Sequence, residues 1–296
     1  MVQTAAPTSE TVETPSGKDA GYENFPVGSF MLPAALRPHI AAFYRFARAI
    51  DDIADNRGLD PETKIARLSG FESGVLGRGP DHPAYDTARR MRLSLAETGI
   101  TPQHCLDLIA AFKQDAVKLR YADWDDLMGY CIKSAAPVGR YLVDLHGGMK
   151  PGKGRGGYGP ADALCNALQV INHLQDLKDD YRTLDRVYLP GNWMAAEGVT
   201  VEDLNRAAAT PELRRVIDRC LDATEALLRD VPPLISGVKS RRLAMESAAI
   251  LEIAWRLCRA LCRRDPIAGR VKLSKVGYLW CCIRGAVAAV TGIGRR

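Results

Sequence analysis

Ile40, Phe43, Ala47, Ile50 and Ala54 recur at steps of three or four residues. That spacing predicts one amphipathic helix through the stretch Ala41–Asn56, AAFYRFARAIDDIADN. The helix ends in three carboxylates, Asp51, Asp52 and Asp55. Asp51 and Asp55 are i,i+4 neighbours, and Asp52 and Asp55 are i,i+3 neighbours. Like charges so placed repel by roughly 0.2–0.5 kcal/mol a pair. Either a cation sits among them, or the end is a solvated acidic face with Lys or Arg partners.

A second acid stripe weighs toward the cation. Asn172–Asp180 reads NHLQDLKDD, with Asn172, Asp176 and Asp180 stepping by four and Asp179 one position aside. Leu164, Leu168 and Ile171 supply the apolar face of that helix. If the two stripes face each other, their carboxylates converge on one cavity. Oxygen ligands without His or Cys favour a hard cation. Mg²⁺ commonly takes one or two carboxylates and completes its shell with substrate phosphates; calcium is the rival, but the EF-hand loop pattern is missing. The substrate expected is therefore phosphate-bearing. Arg48, three residues before Asp51, and Arg186, after the second stripe, have the fork that fits phosphate oxygens. Arg45, Lys178 and Arg182 add positive charge nearby. Phosphate held by Mg²⁺ and Arg leaves readily, so ionisation to a carbocation becomes feasible.

The rest of the chain reads as all-α. Helical periodicity covers 34–56, 61–76, 83–98, 102–120, 123–146, 160–184, 211–230, 240–263 and 275–290, and strand signals are nearly absent. Asp60-Pro61 and Thr101-Pro102 place a capping side chain before a helical Pro, and Asp123 with Asp126 resembles a capping box. A chain of 296 residues, 47% hydrophobic and 25% charged, suits one globular domain over 22–296 behind a disordered, Thr/Ser/Pro-rich lead at 1–21. A net charge of +5 with no recognisable motif argues against nucleic acid. No signal peptide and no uninterrupted apolar span appear, so a cytoplasmic protein is expected. The eight Cys form no CxxC and read as buried thiols. Gly147–Gly159 reads as a flexible linker rather than a phosphate cradle, since no Walker A spacing is present. From Arg263 to Arg296 basic residues face a single acid, Asp265, around an apolar run at Val276–Ile293. That tail is either a segment lying on anionic lipid at the inner membrane face or a terminal helix packed on the domain.

Tyr130–Leu142, YCIKSAAPVGRYL, puts Pro137 inside a helical pattern among Ser134, Ala135, Ala136 and Gly139. A kink there exposes carbonyl dipoles to a pocket, or serves packing alone. Phe43, Tyr44 and Tyr130 are pocket or core aromatics.

FARAIDDIAD paired with NHLQDLKDDYRTLDRVYLP resembles the squalene/phytoene synthase family, from about Glu23 to Arg264. ENFPV at Glu23–Val27, FYRFARAIDD and SAAPVGR resemble its hopanoid-pathway branch, the hydroxysqualene synthases. The resemblance implies an all-α class I isoprenoid synthase bundle around a central cavity. It puts the metal ligands at Asp51, Asp52, Asp55, Asn172, Asp176 and Asp180, and catalysis at Asp51, Asp55, Asp176, Asp180 and Tyr130. It puts substrate contacts at Tyr44, Arg48, Asn172 and, where carotenoid-type members have a Ser-rich entry, Asn24; Arg186, by its phosphate-fitting fork, and Pro137, by its kink, are read as further substrate contacts. The implied reaction ionises presqualene diphosphate with Mg²⁺ and quenches the rearranged cation with water, without NADPH. His173 is one candidate to position that water; a packed core His is the other reading. Head-to-head condensation of two farnesyl diphosphates, or a non-catalytic scaffold, are the alternatives.

Overall fold

The computed structural model describes residues 12–13, 33–79, 82–150 and 157–291. The lead at 1–21, apart from residues 12–13, and Asn24 therefore lie outside the described residues. Twelve α-helices are described: α1 Arg37–Asp55, α2 Pro61–Leu76, α3 Asp86–Thr98, α4 Gln103–Asp115, α5 Trp124–Ser134, α6 Ala136–Leu145, α7 Gly159–Leu184, α8 Gly191–Ala196, α9 Pro211–Arg229, α10 Pro232–Gly237, α11 Arg241–Arg263 and α12 Lys275–Thr291. Two short strands, β1 Arg120–Tyr121 and β2 Val187–Pro190, pair in parallel. The fold is all-α.

Local chemistry explains the starts. The Asp60 carboxylate accepts from the Thr63 amide at 2.9 Å ahead of Pro61. Asp123 does the same for Asp126 at 2.9 Å, but Asp126 reaches back to the Ala122 amide, so the expected box is displaced by one residue. Thr101 sits one position further out than expected, because α4 begins at Gln103 with Pro102 at its cap. That helix also ends at Asp115, and the segment read as helical to 120 turns into β1. Strands of two and four residues are too short to show a period.

The helix expected over 123–146 is two helices. Ala135 leaves helical geometry (φ −121°), ending α5 and starting α6, and Pro137 lies in the first turn of α6. A proline there costs little, because its missing N–H belongs to a turn without intrahelical partners. The kink at Pro137 is thus a break at Ala135. After the break α6 serves two apolar clusters. Tyr141 stacks on Phe43 of α1 (centroids 4.0 Å apart, planes 6°) in the cluster built by α1–α4. Val143 joins the cluster of α5, α7, α9 and α11, and Leu142 packs against both. Gly139 lets α6 approach α7: a Cβ there would lie 2.7 Å from Cys165 Sγ. All eight cysteines are free thiols, most of them buried.

Candidate active site

The two acid stripes face one polar chamber of about 170 Å³. Asp51 and Asp55 reach it from α1, and Asn172, Asp176 and Asp180 from α7. Tyr130, Arg48 and Arg186 line it as well. Asp52 does not; it is buried with Oδ1 3.4 Å from Arg48 Nε and lines neither this chamber nor the one beside it. Asp179 is exposed, as its offset position predicts.

The carboxylates do not simply repel. Arg48 Nη1 donates to Asp51 at 3.0 Å. Arg270 grips Asp176, with Nε 2.6 Å from Oδ1 and Nη2 donating to Oδ2 at 2.9 Å. Arg186 Nη1 donates to Asp55 at 2.6 Å, and its Nη2 donates to the carbonyls of Ala54 and Asp115 at 3.1 and 3.2 Å. One guanidinium thus sits on the C-terminal carbonyls of both α1 and α4, where helix dipoles favour positive charge. It gets there because Asp185 ends α7 in the left-handed region (φ 52°) and turns the chain back. Arg120, from β1, holds that turn through the Asp185 carboxylate at 2.6 Å. Lys178 and Arg182 point elsewhere. They hold the carbonyl of Arg206 and the side chain of Asn205, and Arg45 is exposed.

Tyr130 donates from its hydroxyl to Asp115 at 2.8 Å. Burial pushes the Asp115 carboxyl up to about 7, against the pull of Arg186 and of the Tyr130 hydroxyl. His173 stacks on Tyr188 (centroids 3.5 Å apart), and burial, then Arg186, lowers its pKa to about 3. It is a neutral wall of the chamber, an imidazole rather than an imidazolium near neutral pH.

Beside the polar chamber lies an apolar one of about 330 Å³. Phe43 and Tyr44 of α1, Val138 of α6, Leu164 and Leu168 of α7 and Ile250 of α11 are among its walls. Arg48, Asp51, Gln169 and Asn172 line both chambers and form the junction. Pro137 is buried but lines neither; its neighbours Ser134, Ala135, Val138 and Gly139 open on the apolar chamber instead. Glu246 of α11 also lines it, with Oε2 buried and without a hydrogen-bond partner among the described residues. Burial pushes the Glu246 carboxyl up to about 7.

Gln169, Glu246, Asp115 and Arg270 are among the lining residues that the sequence analysis did not single out. Gln169 was legible, since it lies one step upstream on the Asn172–Asp176–Asp180 line. Glu246 interrupts the apolar line Leu243, Ile250, Ile253, Leu257 at a position that should be apolar, which was also a signal. Asp115 is a lone acid with no partner in the local pattern, and Arg270 sat among the tail's other basic residues.

The two acid stripes offer the polar chamber oxygen ligands, which suit a hard divalent cation that keeps phosphate and water ligands. A cage built by protein alone is not the pattern: among the described residues, no three His, Cys, Asp or Glu side chains converge to hold an ion. Together the chambers suit a ligand with an anionic, metal-binding head and a long apolar body.

The squalene/phytoene synthase family model matches residues 19–277. A hydroxysqualene synthase of Rhodopseudomonas palustris is 43% identical over 267 residues, covering 90% of this chain and 89% of that protein. A second, from Zymomonas mobilis, is 40% identical, covering 89% and 87%. Among solved structures, a squalene synthase from Alicyclobacillus acidocaldarius is similar at 31% identity and a TM-score of 0.70, covering 82% of this chain and 89% of that one.

Proposed function

The chain belongs to the squalene/phytoene synthase family, and from that premise we propose that it is a hydroxysqualene synthase, converting presqualene diphosphate and water to hydroxysqualene and diphosphate. The observation that carries the reading is the shared lining of the two chambers at Arg48, Asp51, Gln169 and Asn172. A diphosphate seated among the Asp and Arg side chains puts its C–O bond at that junction, with the hydrocarbon in the apolar chamber.

Asp51, Asp55, Asn172, Asp176 and Asp180 are the residues that would hold Mg²⁺. The chemistry Mg²⁺ supplies when bound is Lewis-acid neutralisation of the departing diphosphate. Arg48 and Arg270 hold Asp51 and Asp176 in place, and both guanidiniums border the space where the diphosphate would sit. Arg186 is occupied with Asp55 and two helix ends, so its part is to orient the acid rather than to bind the leaving group. Phe43, Leu164, Leu168 and Ile250 keep bulk water from the cation once it forms. The hydroxyl of Tyr130 is fixed by Asp115 toward the polar chamber. The reaction is redox-neutral and needs no NADPH.

The apolar product suits a location on lipid, and α12 supports that reading. Val276, Leu279, Trp280, Ile283 and Val287 stand exposed along one side of it, while Cys281 is buried and Tyr278 packs against the core. No helix is long and apolar enough to cross a membrane, within the described residues. We assign α12 as a surface helix that rests on anionic lipid.

The test is purified protein with Mg²⁺ and either presqualene diphosphate or farnesyl diphosphate, followed by product identification. Hydroxysqualene from presqualene diphosphate is expected. Turnover of farnesyl diphosphate alone would point to a head-to-head condensing enzyme, and turnover of neither to a scaffold. Asp51→Asn and Asp176→Asn are each expected to lower turnover at least about 100-fold; full activity in both would remove the metal assignment.

A further inference from the structure

The polar side chains of the apolar chamber are few. Arg48, Asp51, Gln169 and Asn172 belong to the junction. Away from it, Tyr44, Ser134, Glu246 and Ser247 remain. Ser134 Oγ and Glu246 Oε2 are buried with no hydrogen-bond partner among the described residues. They come from different helices, Ser134 from the last turn of α5 and Glu246 from the second turn of α11. Glu246 is only 4% exposed. No cation pairs with it among the described residues, in contrast to Asp51, Asp55 and Asp176. An unpaired carboxyl on an apolar helix face is costly. Such local violations concentrate where function needs them.

We propose that Glu246, with Ser134, holds the water that quenches the carbocation, and that the Glu246 carboxylate accepts the proton released. The inference rests on the hydroxysqualene reading above. The balance is simple. The water oxygen gives a lone pair to the cationic carbon, forming the C–O bond. One O–H bond then breaks, and its proton passes to Glu246, leaving the alcohol and a protonated carboxyl. No electrons are exchanged, and diphosphate has already left as the anion.

The placement answers a chemical problem. A carbocation in an apolar chamber loses an adjacent proton to any base it meets and becomes a polyene. Only a water held between cation and base diverts it to an alcohol. The other candidates are committed elsewhere. His173 is neutral, stacked on Tyr188 and in the polar chamber. The Tyr130 hydroxyl donates to Asp115. A carboxyl whose burial pushes it up to about 7 exchanges a proton readily near neutral pH.

The experiment feeds presqualene diphosphate and Mg²⁺ to wild type, Glu246→Gln, Glu246→Asp and Ser134→Ala in ¹⁸O-water. It measures diphosphate released, labelled alcohol and hydrocarbon products. The ratio of alcohol to hydrocarbon is expected to fall about 100-fold in Glu246→Gln, the low end of what a positioned base contributes. Glu246→Asp is expected to recover part of it, and Ser134→Ala to lower it about fivefold, as for one lost hydrogen bond. Because the ratio counts products formed, a variant that folds in low yield still reports. An unchanged ratio in Glu246→Gln overturns the inference. So does a Glu246→Gln protein that releases no diphosphate, because quenching follows ionisation. Wild type that forms no alcohol from presqualene diphosphate overturns the underlying reading instead.

Discussion

Glu246 sits on α11 with its carboxyl buried and its cost set by ionisation. The titratable groups that face it from α12 are Tyr278 and Cys282, both kept neutral because burial raises them. Its ordinary pKa of 4.5 rises to about 7 in the fold. Between those values the unfolded chain has lost the proton and the folded one keeps it. Stability therefore falls as pH rises from about 4.5 to 7 and then levels, by roughly 3 kcal/mol in all. Glu246→Gln removes the ionisation. Its melting temperature relative to wild type is expected to be higher at pH 8 than at pH 5, and equal differences at the two pH values would refute the assignment. The acid stripes behave differently. Asp51, Asp55 and Asp176 are paired to arginines, so their removal does not relieve a repulsion as the bare sequence suggested. Asp176→Asn leaves Arg270, mostly buried, facing a neutral amide. We expect a loss of about 1–2 kcal/mol by urea unfolding, alongside the loss of turnover.

At the level of elements, the break at Ala135 decides what the apolar chamber can be. One continuous helix over 123–146 would carry α6 straight on; the break lets it lie between two clusters and present Val138 and Gly139 to the chamber. Gly139 faces α7 closely, and a Cβ there also lies 3.3 Å from the Ala161 carbonyl. Gly139→Val is expected to push α6 from α7, cost about 1–3 kcal/mol by urea midpoint, and raise KM by narrowing the chamber. A stability and KM equal to wild type would mean that the helices adjust freely. The turn at Asp185 does comparable service, since it alone brings Arg186 back beneath the ends of α1 and α4.

For the molecule as a whole, α11 and α12 link the interior to the surface. Leu243, Glu246 and Ile250 of α11 line the chamber, and α12 packs on α11 so closely that a Cβ at Gly285 would lie 2.4 Å from Ala249 Cα. The helix is therefore packed on the domain, and its apolar outer side is the surface the proposed lipid contact would use. Removing the helix would take Cys281 and Tyr278 out of the core and uncover α11, so point changes make the better test. Leu279→Glu with Ile283→Glu is expected to weaken co-sedimentation with phosphatidylglycerol vesicles about tenfold or more, while the melting temperature holds. Unchanged binding would remove the lipid role.

The sequence by itself determined the helical class, most helix boundaries to within a residue or two, and both acid stripes. Those are local matters: a period of 3.6, a cap before a proline and a step of four are all written within a few residues. Only the tertiary structure decided which charges meet. Arg270 lies 94 positions from Asp176, and Arg186 lies 131 from Asp55. Asp52, one residue from Asp51, is turned away from both chambers. Partners across such distances are chosen by the packing of helices, to which no local pattern refers. For the same reason, Glu246 reads as an oddity on an apolar face until α1, α5, α6 and α7 close a chamber around it.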